Sequence, residues 1–121
     1  MTEHRIQLPE PDADDKGPYT HLGFCKAKAG HEARVETLIL ALLEHIRREP
    51  GNLAFHAFRD RADAGTFVVY EMFRSIADLR SHLAQPYTRS FIEEIGPHVE
   101  GPLRQQFLRM SSRLPEANVG A

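Results

Sequence analysis

The sequence predicts an α+β protein in which helices cover one face of a single antiparallel sheet. The spacing of apolar residues changes from the alternation typical of a strand to helical spacing near Gly30, and it returns to strand-like alternation at residue 52. Two strand-like runs then follow each other directly, before a second helical region and a last strand-like run. The resulting order is β-α-β-β-α-β, which is the ferredoxin-like arrangement.

The first half of the chain contains a strand and a long amphipathic helix. Residues 19–29 are predicted to form the strand, and Gly30 marks the turn. Over residues 31–49 the apolar positions recur at helical spacing, with charges on the opposite side. These positions are Val35, Leu38, Ile39, Leu42, Leu43 and Ile46. Pro50 and Gly51 end the helix, because proline disfavours helical geometry in the preceding residue and glycine accepts positive φ.

The next predicted elements are two strands followed by a helix. Residues 52–60 and 66–73 are rich in strand-forming side chains, and residues 61–65 between them have the composition of a hairpin loop. Ser75 is predicted to cap the helix that follows. Asp78, three residues later, is placed to complete a capping box.

A further helix and a final strand complete the predicted fold. Pro86 can open a helix as its first residue, residues 96–97 (Gly-Pro) close that helix, and residues 103–109 form the last strand. Because such crossovers are right-handed, the helices lie on one face of the sheet. The other face, called the open face below, needs a cover.

The chain is predicted to hold one domain between two tails. Residues 9–18 combine three prolines with several acidic side chains, so we expect residues 1–18 to form a flexible arm. The domain itself is predicted to span residues 19–110, and residues 111–121 form a C-terminal tail.

Composition argues against several function classes. A net charge of -2 leaves no basic field for nucleic acid, and no apolar run is long enough for a leader or a membrane span. Cys25 is the only cysteine, which favours a reduced thiol in a cytoplasmic protein. Motifs for dinucleotide, phosphate-loop and zinc-hydrolase sites are absent, so we expect neither a cofactor nor a metal.

Alternation along the two central strands predicts what each face carries. Two sets are purely apolar, and we assign them to the helix-covered face. They are Val68, Tyr70 and Met72, with Leu53, Phe55 and Ala57. The mixed sets are assigned to the open face. They are Phe67, Val69, Glu71 and Phe73, with Asn52, Ala54, His56 and Phe58. A face of that composition predicts a homodimer in which two sheets pack together.

The segment from Tyr70 to Phe91 carries a family resemblance. Its matching residues are Glu71, Phe73, Ser81, His82, Leu83, Pro86, Tyr87 and Phe91. With these residues the chain resembles the antibiotic biosynthesis monooxygenase family, which usually has tryptophan at the position of Phe73. The resemblance implies a dimeric α+β barrel and an activity like that of quinol monooxygenases, which use no cofactor.

His82 and Glu71 are the predicted catalytic residues. His82 lies at the border of its helix's apolar stripe, so we expect it to be half buried, and an imidazole exchanges protons near neutral pH. The resemblance implies that His82 is the general base and that Glu71 orients it. Two structural alternatives remain open: a border histidine bonded to the backbone, and an ion pair between Glu71 and Arg74 or Arg104.

A planar substrate is expected to contact polar and aromatic side chains near this pair. The predicted substrate-binding residues are Asn52, His56, Phe58, Val69, Phe73, Tyr87 and Phe91. The alternative for the polar residues of this set is a hydrogen bond across the dimer. The alternative for the aromatic residues is packing in the core. The remaining histidines are predicted to lie on the surface. They are His21, His31, His45 and His98.

The resemblance implies a monooxygenase that oxidises a small phenol, hydroquinone or anthrone with dioxygen. A deprotonated substrate of this kind can pass an electron to oxygen directly, so the protein need only take a proton, exclude water and hold the anion. Three alternatives stay open: a haem-binding or haem-degrading relative with His82 as iron ligand, a non-oxidative enzyme such as an isomerase, and a dimeric binding module without catalysis.

Overall fold

The computed structural model describes residues 8–11, 13–15 and 17–115, and it contains one sheet and three α-helices. The strands are β1 (Tyr19–Ala27), β2 (Asn52–Arg59), β3 (Thr66–Phe73) and β4 (Val99–Arg109). The helices are α1 (Glu32–Ile46), α2 (Ile76–Leu83) and α3 (Pro86–Ile95), followed by a 3-10 turn at Gly96–His98. This order confirms the ferredoxin-like prediction, with two helices in the second crossover.

The sheet is antiparallel with strand order β2-β3-β1-β4, so β1 and β3 are its central strands. His21 on β1 pairs in register with Glu71 on β3 and with Phe107 on β4. Because paired residues of an antiparallel sheet point to the same side, these three side chains lie next to one another. The register therefore places an imidazole beside a carboxylate at the centre of the sheet.

Helices α2 and α3 begin for the reasons predicted from the sequence, whereas α1 ends at Ile46, before the predicted end at residue 49. The apolar stripe of α1 is buried. At the start of α2 the Asp78 backbone N–H donates to Ser75 Oγ at 3.2 Å, and the Ser75 hydroxyl donates to Asp78 Oδ2 at 2.9 Å. Pro86 is the first residue of α3, where the N–H that proline lacks would have no helical partner.

Gly51 is needed for a reason other than the predicted one, which was that it accepts positive φ at the end of α1. Among the described glycines only Gly30 and Gly101 have positive φ. A Cβ at Gly51 would lie 2.2 Å from Asp78 Cγ, so glycine is needed because the start of α2 approaches the backbone there. The carbonyl of Gly51 accepts a bond from the N–H of Arg74 at 2.8 Å, which holds this approach in place.

β4 is longer than predicted, because Pro102 interrupts the strand-like pattern of the sequence but does not end the strand. The strand starts at Val99 and runs through Gly101 and Pro102. β4 is an edge strand, and an edge strand tolerates the missing N–H of proline. Gly101 has a φ of 70° next to the register shift between Phe24 and Lys26 on β1.

The structure corrects the face assigned to β3. Phe67, Glu71 and Phe73 are 2%, 5% and 0% exposed, and both phenylalanines pack in clusters with helix residues. This mixed set lies under the helices, while Val68 and Tyr70 lie on the open face. The assignment was wrong because it assumed that polar side chains avoid the helix-covered face.

The face assignment of β2 holds for most of the strand. Phe55 is 1% exposed and packs under α1, whereas Phe58 on the open face is 55% exposed. A register shift between Asn52 and Ala54 changes the start of the strand. As a result Leu53 is 47% exposed, and Asn52 pairs with Phe73 instead of belonging to the open-face set.

The described part of the N-terminal arm contacts the domain. The Tyr19 hydroxyl donates to the Pro9 carbonyl, Arg80 pairs with Glu10, and Leu8 packs against the core. Residues 1–7 and 116–121 lie outside the described residues, so the flexibility of both tails stays a prediction. In the described part of the chain no helix has the length and apolar character needed to cross a membrane.

Candidate active site

A cavity of ≈ 70 Å³ lies between the sheet and the three helices. Apolar side chains form most of its wall, including Val69 and Phe91. The side chains with polar atoms that line it are His21, Cys25, Glu71, His82, Thr88 and Gln105. An apolar pocket with a few polar groups at one place is the usual composition of a small-molecule site.

Three of these polar side chains, His21, Glu71 and His82, belong to a chain of charged and hydrogen-bonded groups that also contains Glu49 and Tyr87. This chain is called the His-Glu cluster below. His21 Nε2 lies 2.7 Å from Glu71 Oε2, and His82 Nε2 lies 3.3 Å from Glu71 Oε1. On its other side His82 Nδ1 lies 2.9 Å from Glu49 Oε2, which also accepts a bond from the Tyr87 hydroxyl. The three residues at the centre, His21, Glu71 and His82, are at most 5% exposed.

Two strands, two helices and the turn after α1 supply the members of this cluster. The sheet register sets His21 beside Glu71, and α2 brings His82 over them from the helix layer. Glu49 follows α1 in a turn where its N–H donates to the Ile46 carbonyl at 2.9 Å. Thr88 on α3 donates to the His82 carbonyl at 2.9 Å, which fixes the end of α2. The cluster is therefore held by the packed framework of the fold.

His82 is positively charged at neutral pH. Burial alone would lower the pKa of His82, but hydrogen bonds to Glu49 and Glu71, with the charges of both carboxylates, raise it to about 9. Burial would likewise raise the pKa of Glu71, but its bonds to His21 and His82 hold that pKa well below the usual range. The site thus holds an imidazolium between two carboxylates.

This charge state predicts how stability depends on pH. The folded pKa of His82 lies above its unfolded value of 6.5, so its contribution to stability is complete below pH 6.5 and is lost as pH rises through about 9. The shift corresponds to roughly 3 kcal/mol of unfolding free energy. We expect urea unfolding at pH 6 and pH 9.5 to show this loss in the wild type and not in His82→Gln. Equal losses in the two proteins would contradict the ion pair.

Several buried polar atoms of the site have no hydrogen-bond partner among the described residues. In the cavity wall they are His21 Nδ1 and Gln105 Oε1, whereas Glu71 Oε1 has the contact of 3.3 Å with His82 Nε2. Buried polar groups in native proteins are nearly always paired, with protein, water or ligand. Because His21 and Gln105 line the cavity, their unpaired atoms are suited to a ligand that carries hydroxyl groups.

The structure brings together some of the residues that the sequence indicated. Glu71 and His82 are in contact, and His82 is 3% exposed, which is deeper than the expected half burial. Val69 and Phe91 line the cavity, and the ring of Phe73 stacks on His82 with 5.0 Å between centroids. Tyr87 binds Glu49 and stacks on His45 outside the cavity lining.

Three predicted substrate-binding residues lie away from the cavity. His56 and Phe58 are exposed on the open face, and His56 Nδ1 lies 3.4 Å from the Arg47 guanidinium. The amide of Asn52 donates to the carbonyl of Ala54 at 3.0 Å at the start of β2. These residues were selected for the open face, whereas the cavity lies on the helix-covered face.

Sequence reasoning missed His21, Glu49 and Gln105. His21 was placed on the surface, although it alternates with Tyr19 and Gly23 in the buried set of β1. That alternation was the available signal. No signal in the sequence marks Glu49 or Gln105, because only the folded chain brings them to the site. Among the described residues no group of three or more His, Cys, Asp or Glu side chains is arranged to hold a metal ion.

Known proteins that are similar in sequence or in structure support the fold described above. The chain is 29% identical over 92 residues to the uncharacterized protein sll1783 of Synechocystis, a match that covers 72% of this chain and 63% of that protein. It therefore spans less than two thirds of that relative's length. PA3566 from Pseudomonas aeruginosa superposes with a TM-score of 0.75 at 23% identity, over 83% of this chain and all of that one (100%).

A solved structure described as an antibiotic biosynthesis monooxygenase has a TM-score of 0.71 at 25% identity, over 80% of this chain and 99% of that one. The sequence profile of the same family matches residues 18–94, which is more than half of the chain and includes every member of the His-Glu cluster. The chain belongs to the antibiotic biosynthesis monooxygenase family.

Proposed function

We propose that this protein is a monooxygenase that oxidises a small phenol or hydroquinone with dioxygen and needs no cofactor. The observation that carries the proposal is the buried His-Glu cluster in the wall of an apolar cavity. With His82 protonated and Glu49 and Glu71 ionised, the cluster holds one positive and two negative charges. It therefore has the capacity to take up one proton, which is what activation of a phenol requires.

The remaining chemistry belongs to the substrate and to oxygen. The phenolate of a hydroquinone transfers one electron to dioxygen, which gives a semiquinone-type radical and superoxide. The two recombine to form a carbon–oxygen bond, and loss of water from the resulting hydroperoxide leaves a hydroxylated quinone. One oxygen atom enters the product and the other leaves as water, so no further reductant is needed. The protein's tasks are proton uptake and exclusion of bulk water.

His82 has a different role in this proposal from the general base expected from the sequence. An imidazole that is already protonated at neutral pH has no free nitrogen to accept a proton, and its two nitrogens face Glu49 and Glu71. His82 instead supplies a fixed positive charge that keeps Glu71 ionised inside the protein. The proton acceptor must be another member of the cluster.

The cavity size limits the substrate. At ≈ 70 Å³ it is smaller than an apolar cavity of about 150 Å³ that is able to bind benzene, so a substrate must displace part of the lining. Phe91 and Leu83 are only partly buried and are suited to such a movement. We therefore favour one-ring hydroquinones over three-ring anthrones.

A homodimer through the open face remains part of the proposal, with corrected residues. The apolar side chains exposed or half buried there are Leu22, Phe24, Phe58, Val68, Tyr70 and Leu108. A contiguous apolar surface of this kind usually marks an interface, and a second copy of the same sheet is complementary to it. This packing leaves the cavity intact, because the cavity lies on the other side of the sheet. A cytoplasmic location, where the Cys25 thiol stays reduced, fits the same proposal.

The structure argues against the haem-binding alternative. An iron ligand needs a free imidazole nitrogen, and both nitrogens of His82 are within 3.3 Å of carboxylate oxygens. The two carboxylates would have to move before iron reached the ring.

An oxygen electrode tests the proposed function. Chelator-treated protein is mixed with benzohydroquinones, naphthohydroquinones and anthrones, and protein-free autoxidation is subtracted. We expect oxygen consumption that saturates with substrate and is fastest for the one-ring compounds. A Soret band on haem titration without oxygen consumption would favour the haem-binding alternative. No response in either assay would favour a non-oxidative enzyme or a binding module.

A further inference from the structure

His21 lies in the wall of the cavity and on a central strand of the sheet. It is 2% exposed, and β1 places it between Glu71 on β3 and Phe107 on β4. Its ring packs against Phe107 with 5.2 Å between centroids. These contacts fix both the position and the plane of the imidazole, and His21 is one of the residues that line the cavity.

Hydrogen bonding determines the protonation state of this ring. Nε2 lies 2.7 Å from Glu71 Oε2 and donates its proton to that carboxylate. Nδ1 is buried and has no partner among the described residues. A proton on Nδ1 would be a buried donor without an acceptor, which is costly, so the hydrogen bonds favour the tautomer with the proton on Nε2 and a lone pair on Nδ1.

We propose, on the basis of the oxygenase function above, that His21 is the catalytic base. His21 Nδ1 takes the proton of the substrate hydroxyl: the O–H bond breaks, its electron pair stays on oxygen as the phenolate, and an N–H bond forms. Glu71 is a positioning residue that fixes the tautomer. The new N–H then donates to the phenolate oxygen, and no oxidant takes part in this step.

The charges of the His-Glu cluster favour this transfer. Before it, one imidazolium is flanked by two carboxylates and the cluster is negative overall. After it, imidazolium rings at His21 and His82 alternate with the carboxylates of Glu71 and Glu49, and the positive and negative charges balance. Because the proton comes from the substrate, the transfer moves the net negative charge from the cluster to the phenolate oxygen, where it lies next to the new imidazolium of His21.

Binding of a nitrophenol under nitrogen tests the proposal without turnover. A nitrophenolate absorbs at longer wavelength than the neutral phenol, so its spectrum reports whether the bound ligand has lost its proton. We expect the wild type to bind it as the phenolate at a pH below the ligand's own pKa. His21→Gln keeps a donor to Glu71 and cannot take a proton, so it should bind the neutral phenol. Its rate of hydroquinone oxidation should fall by about a hundredfold or more.

His98→Gln is the matched control, because His98 pairs with His31 away from the cavity. It should retain the phenolate band of the wild type. No phenolate band in the wild type, or an undiminished band in His21→Gln, would overturn the proposal. A phenolate band that depends on His21, in a protein that consumes no oxygen with any hydroquinone, would support the base and overturn the oxygenase function.

Discussion

Replacing Glu71 by glutamine is expected to lower the rate of oxygen consumption by about a hundred- to ten-thousand-fold. Glu71 accepts from His21 with one oxygen and faces His82 with the other. An amide keeps the shape, but its NH₂ group can only donate, so either His21 must change its tautomer or His82 must lose the proton on Nε2. In the serine-protease triad the equivalent change costs about 10⁴-fold in kcat for this reason. The loss should appear in kcat more than in KM, as measured at saturating hydroquinone.

The double variant Glu71→Gln/His21→Gln separates catalysis from structure. If the two residues act as one unit, the double variant should be no slower than the slower single variant, because the function is already lost. If Glu71 had only a structural role, the rate losses of the two single variants would multiply in the double variant. Circular dichroism and urea unfolding should show that Glu71→Gln stays folded at pH 7 with reduced stability. Wild-type kcat in Glu71→Gln would contradict the proposed role of the carboxylate.

Val68→Asp is expected to convert the proposed dimer into a folded monomer. Val68 is half buried on the open face and pairs with Phe24 and Phe58 on the neighbouring strands. A carboxylate buried there without a partner costs about 3 to 5 kcal/mol, and a two-fold axis brings two of them into one interface. The dissociation constant should therefore rise at least about a thousandfold in sedimentation equilibrium.

Val69→Asp is the matched control for Val68→Asp. Val69 is the next residue of β3, but it lies under the helices and lines the cavity. A charge at this position should unfold the protein instead of separating folded subunits. A folded Val68→Asp variant that stays dimeric would show that the open face is not the interface.

Most of the fold was predictable because local signals agree along the chain. The stripe of α1, the Ser75–Asp78 capping box and Pro86 at the start of α3 each define an element independently. The start of β4 was not predictable, because only the edge position of that strand makes Pro102 acceptable. The close approach of Asp78 to the backbone at Gly51 was not predictable either, because it depends on packing between segments that are distant in the sequence.

The candidate site was predictable only in part. His82 and Glu71 were found because an imidazole at a stripe border and a carboxylate in an apolar strand are both locally unusual. The face assigned to Glu71 and its strand β3 was wrong, because the rule that polar residues point away from the helices fails where those residues form a buried site. Glu49 was missed because its importance depends on a contact with His82, which lies 33 residues away in the sequence.

Isotope labelling distinguishes the proposed monooxygenase, which inserts an atom of dioxygen into the substrate, from an enzyme that only removes electrons and protons. Chelator-treated protein oxidises its best hydroquinone under ¹⁸O₂, and the product is trapped at once by reductive acetylation so that its carbonyl oxygens do not exchange with water. We expect one labelled oxygen atom in each product molecule and one in water. An unlabelled quinone formed together with hydrogen peroxide would contradict it, because the protein would then remove only electrons and protons.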